Sequence, residues 1–393
     1  MSAGPPFPLP LVGGNTAARR WQDRWRQQWH ESQVLLLLAA TETAAVEGIS
    51  AAGSTPASRR QTAAADAELL LLGPQQRRPH ALPPLPAGVS PALISQVVLD
   101  HLGLTPLVVD LGCAVAPAVP HLRLPPPADS GPSRCLSGGQ AMAPARIEAL
   151  LLQGQRWGKR LAAGRPARPL LLAECVPGGT TTAQALLTGL GVEAAGLVSG
   201  SLLQPAHPLK AALVQQGMAA AALAGTGGEP PRQVVAALGD PMQPLAAGLL
   251  LAAAEADLPV LLAGGSQMAA VLALALALAP PPLRPRLAAV AAVVTTAWVA
   301  KEAGSDLALL LERIGARWEV EPLAFAADLR FEAPGLHPAL RDYERGYVKE
   351  GVGAGGLALL WQLSGRPASA LAQACDLACR QLLGDGRLPS GNG

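Results

Sequence analysis

Glu350 stands directly before Gly351-Val352-Gly353-Ala354-Gly355-Gly356, four glycines in six residues, and the two tyrosines of the chain, Tyr343 and Tyr347, lie just upstream. Glycines at 351 and 353 let a backbone wrap a ligand while the carboxylate before them faces it as a general base. The plainer reading is a surface loop with a solvated glutamate. It fits poorly with the apolar segment Leu357 to Leu363 that follows at once.

A second loop runs Glu174-Cys175-Val176-Pro177-Gly178-Gly179-Thr180-Thr181-Thr182 after the apolar run Leu170 to Leu172. Free backbone N–H groups and hydroxyls converge there at a helix start, where the helix dipole favours an anion, so the loop suits a phosphate. It is no Walker A loop, because no lysine follows the second glycine. The alternative is that Thr180 is an N-cap and the glycines a turn. Gly239-Asp240-Pro241-Met242-Gln243 and Gly264-Gly265-Ser266-Gln267-Met268 also follow short apolar runs. Taken alone, Asp240 is equally a cap and Gly264-Gly265 equally a tight turn; recurrence at three expected strand ends favours ligand contact. The six histidines form no His-x-x-x-His pair, and Cys375 and Cys379, one helical turn apart, have no nearby histidine. No metal site is expected, and the two cysteines read as a packed helix face. A serine nucleophile on a Gly-x-Ser-x-Gly elbow is likewise unsupported.

These loops need a scaffold that brings strand ends together. Short apolar runs, as expected of strands covered on both faces, recur at Val34–Leu38, Leu69–Leu72, Leu107–Val109, Leu170–Leu172, Val234–Leu238, Val260–Leu262 and Ala288–Val294. Several precede a small-residue loop and a helix-length segment. That alternation predicts an α/β fold, a parallel sheet with helices on both faces, whose ligands bind beyond the carboxyl ends of the strands. Pro-rich stretches at 74–91 and 117–132 read as extended crossings, and residues 1–18 and 388–393 as loose tails. Trp21, Trp25 and Trp29 share one helical face. That face is read as packing on the body of the protein or a second subunit, with a membrane-surface helix as the lesser alternative.

Composition narrows the function class. The 393 residues are 50% hydrophobic and 15% charged, with 30 Lys+Arg against 28 Asp+Glu, so neither global disorder nor the basic footprint of a nucleic-acid binder is present. Mean hydropathy is +0.28, yet the uncharged stretch from Leu258 to Leu283 is interrupted by Gly264-Gly265-Ser266-Gln267 and closed by three prolines. Its helical part, Met268 to Ala279, spans about 18 Å against a hydrocarbon core of about 30 Å, so no membrane span is expected. Five scattered cysteines and the absence of a signal-peptide pattern at Met1 point to a reducing cytoplasm.

The loops, in this order, resemble the nicotinate-nucleotide:dimethylbenzimidazole phosphoribosyltransferase family of cobalamin nucleotide-loop assembly, and look closest to its divergent branch in archaea and photosynthetic bacteria. The resemblance covers roughly Val34 to Gln381. Glu350-Gly351-Val352-Gly353-Ala354 is similar, position for position, to the family's Glu-Gly-x-Gly-Ala, whose glutamate is the general base. Glu174 before Gly178-Gly179-Thr180-Thr181-Thr182 resembles the family's phosphate loop, here one residue longer. By the same resemblance Lys210, after Ser199-Gly200-Ser201, would hold the phosphate at a neighbouring strand end, Asp240, Gly264, Gly265, Ser266 and Gln267 would contact substrate, and Ser137 to Met142 would lie at part of the base pocket.

The resemblance further implies a cytoplasmic homodimer with no cofactor. Its substrates would be nicotinate mononucleotide and an aromatic N-heterocyclic base, a benzimidazole or a purine. Three regions are expected: 1–33, an extension with the Trp-striped helix; 34–336, a parallel α/β nucleotide-binding domain; and 337–393, the catalytic loop with helices of a smaller helical domain. The rival is a non-catalytic nucleotide-binding protein derived from the same family, which has no need of a base beside the ribose.

Overall fold

The computed structural model describes residues 10–124, 130–164 and 168–384. Eight strands form one sheet among them: β1 (Pro10–Val12), β2 (Gln33–Leu38), β3 (Pro106–Asp110), β4 (Leu122–Arg123), β5 (Leu170–Cys175), β6 (Val260–Ala263), β7 (Ala291–Thr296) and β8 (Leu323–Ala327). Their order is β1-β8-β7-β6-β5-β2-β3-β4. Every neighbouring pair is parallel except β1 with β8. The central strands β2, β5, β6 and β7 are Leu-, Ala- and Val-rich and buried on both sides, as a strand covered by helices above and below must be.

Alternate strand residues feed two separate cores. Leu35 and Leu37 of β2 join a core with the helices Gly179–Gly189, Met242–Glu255 and Ser266–Leu278. Leu36 and Leu38 join the opposite one, built with Thr62–Leu72, Ala92–Leu102, Ala354–Leu363 and Ala368–Leu383. The expected α/β architecture is therefore present, and the helical layer on the second face is drawn from the first and last parts of the chain. Cys375 and Cys379 are buried in that layer.

Two expected strands are helices. Leu69–Leu72 is the end of Thr62–Leu72, and Val234–Leu238 is the end of Pro231–Leu238. Both lie in the interior, and a short apolar run has the same appearance in a buried helix as in a buried strand. Ala288–Val294 straddles the helix Arg284–Val290 and β7. β8 was not anticipated, nor were the two edge strands β1 and β4.

Residues 10–18, read as part of a loose tail, are instead β1 and the opening of the helix Asn15–Gln28; residues 1–9 and 388–393 lie outside the described residues. Trp21 and Trp25 of that helix are buried, Trp21 stacking on Phe325 of β8 at 5.2 Å and donating its indole N–H to the Val290 carbonyl at 3.1 Å. The face packs on its own protein, with Trp29 only partly covered. Among the described residues no helix is long and apolar enough to cross a membrane.

Candidate active site

A cavity of about 330 Å³ opens over the carboxyl ends of β5, β6 and β7. Its two sides come from the two faces of the sheet. Gly178, Gly179, Thr180, Gly265, Ser266 and Gln267 lie on one, at the starts of the helices Gly179–Gly189 and Ser266–Leu278. The irregular segment from Leu82 to Pro91, with Asp66 and Cys175, lies on the other. Glu174, Glu350 and Gly351 line it between them.

Glu350 is fixed from every direction. Its Oε2 accepts from the Thr295 hydroxyl at 3.0 Å and the Thr296 amide at 2.8 Å, and its Oε1 accepts from the amides of Gly351 and Gly355, each at 3.1 Å. Gly355 lies in the first turn of Ala354–Leu363, so the carboxylate also sits at the positive end of a helix dipole. That helix presses on the sheet: a Cβ on Gly355 would lie 2.2 Å from the Thr295 carbonyl carbon, and one on Gly356 2.4 Å from the Ala263 Cβ. Only residues without a side chain let the helix start approach so closely.

The backbone leading into this helix is strained. Val348, Lys349 and Val352 have φ of 66°, 52° and 53°, a region costly for branched side chains. Gly353, at φ 76°, occupies it freely. The segment is held there by the Thr296 hydroxyl donating to the Lys349 carbonyl at 2.6 Å and by the Ser95 hydroxyl donating to the Val352 carbonyl at 2.8 Å. Such strain persists only where the surroundings over-determine it, and it concentrates at functional sites.

Glu174, at the end of β5, is the second carboxyl group of the cavity. Burial pushes its pKa up to about 8, repulsion from Glu350 and then Asp240 adds to the rise, and the Val176 amide and Gln267 oppose it. Burial also raises the Glu350 pKa, and the four donors around it, which favour the charged form, oppose that rise without cancelling it. The two buried carboxyl groups thus differ in setting: Glu174 has its pKa pushed up to about 8, whereas Glu350 is held by four hydrogen-bond donors that favour its charged form.

The remaining expected residues lie behind this lining. Thr182 donates to the Asp240 carboxylate at 2.6 Å in the interior, and the Thr181 side chain is wholly buried. Asp240 does not close a strand; it sits in the turn between Pro231–Leu238 and Met242–Glu255, where burial pushes its pKa up to about 6 against hydrogen bonds from Thr182 and the Met242 and Gln243 amides. Gly264 and Gly353 support the floor without lining it. Lys210 is not at a strand end. It belongs to the helix His207–Ala220, is fully buried, and donates to the Ser199 carbonyl at 2.6 Å beneath the lining residues Ser199, Gly200 and Ser201. None of Ser137 to Met142 lines the cavity; the amides of Ala141 and Met142 bond the carbonyls of Ala237 and Ala236 instead.

Sequence reasoning missed Thr295 and Thr296, although two threonines ending an apolar strand are a polar signal at the right place. It also missed Lys349, masked by attention to its neighbour, and the Leu82–Pro91 wall, whose prolines carry no chemical signature.

A largely parallel sheet with helices on both faces, a cavity across its carboxyl edge and a carboxylate at a helix start define an α/β protein with a candidate ligand site at its strand ends. A family model described as phosphoribosyltransferase matches residues 92–294. The chain is 52% identical to a UPF0284 protein of Prochlorococcus marinus (strain MIT 9313), over 97% of this chain and 95% of that one, and 52% identical to another from Parasynechococcus marenigrum (strain WH8102), with the same coverage. It shares the fold of the solved CobT from Thermus thermophilus, with a TM-score of 0.56 and 21% identity over 93% of this chain and 92% of that one. A second structure from that organism, titled as a nicotinate-nucleotide-dimethylbenzimidazole phosphoribosyltransferase, superposes with a TM-score of 0.55 at 21% identity, covering 93% of this chain and 96% of that one. The chain belongs to the nicotinate-nucleotide:dimethylbenzimidazole phosphoribosyltransferase family.

Proposed function

We propose that the protein moves ribose 5-phosphate from nicotinate mononucleotide to a ring nitrogen of a benzimidazole or purine base, giving an α-riboside phosphate for the lower ligand of a cobamide. The observation that carries this reading is the Glu350 carboxylate, held by four donors at a helix start and lining, with Glu174, one cavity at the carboxyl ends of the strands. One ring nitrogen of the acceptor attacks C1′ with its lone pair. The bond from C1′ to the pyridinium nitrogen breaks, and its electron pair returns to the nicotinate ring. Glu350 takes the proton from the acceptor's other ring nitrogen. Attack opposite the leaving group inverts C1′, and a leaving group that is already cationic departs without an acid.

The phosphate belongs at the Gly178–Thr180 helix start, where the dipole of Gly179–Gly189 favours negative charge. Lys210 contributes positive charge from beneath Ser199. The acceptor belongs on the Leu82–Pro91 side, where an aromatic ring meets apolar side chains. The reading includes a homodimer acting in the cytoplasm, for which sedimentation and cell fractionation are the direct measurements. The chemistry is tested by incubating purified protein with nicotinate mononucleotide and a panel of bases. Release of nicotinate with formation of an α-configured nucleotide supports the proposal, and binding of the mononucleotide with no release from any base overturns it in favour of a non-catalytic nucleotide-binding protein.

A further inference from the structure

Two ammonium groups and one carboxylate lie together below the Ser199–Ser201 side of the cavity. Lys349 lines the cavity with its side chain 2% exposed, and its Nζ donates to Glu302 Oε1 at 2.5 Å and to the Leu202 carbonyl at 2.7 Å. Lys210 donates to the Ser199 carbonyl at 2.6 Å, and its Nζ is 3.3 Å from where a Cβ on Gly200 would stand. The two lysines thus grip the same short turn at its two ends. Among the described residues Glu302 is the carboxylate within ion-pair distance of either; it pairs with Lys349 and not with Lys210, and its other oxygen accepts from the Ser305 hydroxyl at 2.7 Å.

The charges do not balance: two cations share one anion in a buried setting, where an uncompensated charge is costly. Lys210 feels its neighbours less than its burial. Its pKa falls to about 8, chiefly by burial, with Glu302 opposing the fall and Lys349 adding to it. An ammonium has three donors, of which Lys349 uses two and Lys210 one. Spare donors and one surplus positive charge, beside a turn that lines the cavity, match a phosphate monoester, which carries about −1.5 to −2 near neutrality.

Lys349 is also the residue immediately before the general base. Its carbonyl accepts from Thr296, whose amide binds Glu350, and its own φ is 52°. We propose that Lys349 is a second phosphate-binding cation, held by Glu302 until phosphate arrives, and that it positions Glu350 according to whether phosphate is bound. The anion site stands on its own geometry; only the coupling to Glu350 rests on the transferase reading.

The test uses the full chain and titration calorimetry with ribose 5-phosphate, with ribose as the control. Lys349→Met should weaken ribose 5-phosphate by about 10- to 150-fold, the loss expected for one charge-assisted hydrogen bond, and Lys349→Arg should recover part of it. Glu302→Gln should tighten it, because the carboxylate competing for Lys349 is gone. In turnover, Lys349→Met should shrink the kcat/KM advantage of nicotinate mononucleotide over nicotinate riboside. Unchanged affinity in Lys349→Met, equal weakening in Lys349→Met and Glu302→Gln, or failure of the wild type to bind ribose 5-phosphate would each overturn the proposal. If the binding pattern holds while no base releases nicotinate, the transferase reading fails and the anion site stands.

Discussion

The amide of Val352 donates to the carbonyl of Glu174 at 3.0 Å. The strand end bearing one carboxyl group is thereby tied through main chain to the loop bearing the other, so the two backbones that carry them are held in one register. Repulsion between the two changes steeply with distance and adds to the raised pKa of Glu174, so this tie bears directly on the electrostatics of the cavity.

Replacing the base should separate chemistry from binding. Glu350→Gln retains the shape and one oxygen's pair of accepted hydrogen bonds but accepts no proton, so kcat should fall by about 10²- to 10⁴-fold. Calorimetry should show nicotinate mononucleotide bound as in the wild type. Wild-type turnover in the variant would remove Glu350 from the role.

The raised pKa of Glu174 makes stability depend on pH with a definite sign. Between the ordinary carboxyl range and about 8 the folded protein keeps a proton that the unfolded chain releases, so stability falls as pH rises through this window. The contribution is on the order of a few kcal/mol at most. Thermal melts from pH 5 to 9 should show a declining Tm in the wild type and a flatter profile in Glu174→Gln. Parallel profiles would mean that Glu174 is ionised throughout.

Gly355→Ala should damage the site through packing alone. The new Cβ would fall 2.2 Å from the Thr295 carbonyl carbon and 2.6 Å from Glu350 Oε2, so the helix start must move off β7. Overpacking of this kind costs about 1–3 kcal/mol. Urea denaturation should report the loss, and activity should drop more than tenfold because the Gly355 amide leaves the carboxylate. Normal stability together with normal activity would contradict the close approach.

Trp21→Ala should destabilise by about 3–5 kcal/mol, as expected for a buried indole removed from a packed interior. Trp29→Ala, at a partly covered position, should cost far less. Membrane association lost with Trp21 at unchanged stability would instead favour a surface helix.

The sequence carried the chemistry further than it carried the connectivity. Glu350 stood out because it directly abuts a glycine-rich loop, which has few structural reasons to exist inside an apolar chain, whereas Glu174 was reached through the family resemblance; both line the cavity. Val234–Leu238 was misread because its alanines and valines satisfy strand and buried helix alike, and only contact with the preceding and following helices decides. Lys210 was traced to the right neighbourhood but one layer too high, since depth below a surface leaves no mark on spacing. The hydrogen-bonded setting of the Glu350 carboxylate was beyond sequence altogether. It depends on donors from Thr295 and Thr296, more than fifty positions earlier, brought in by β7.

Closure of the sheet has a consequence for synthesis. Val12 of β1 pairs with Ala324 of β8, about 310 positions later, so at roughly 5–20 residues per second a ribosome needs about 15 to 60 seconds to supply the partner. Trp21, which must stack on Phe325, waits equally long. Throughout that interval the nascent chain carries an indole-rich helix with no seat, and an edge strand made early waits for a partner made late.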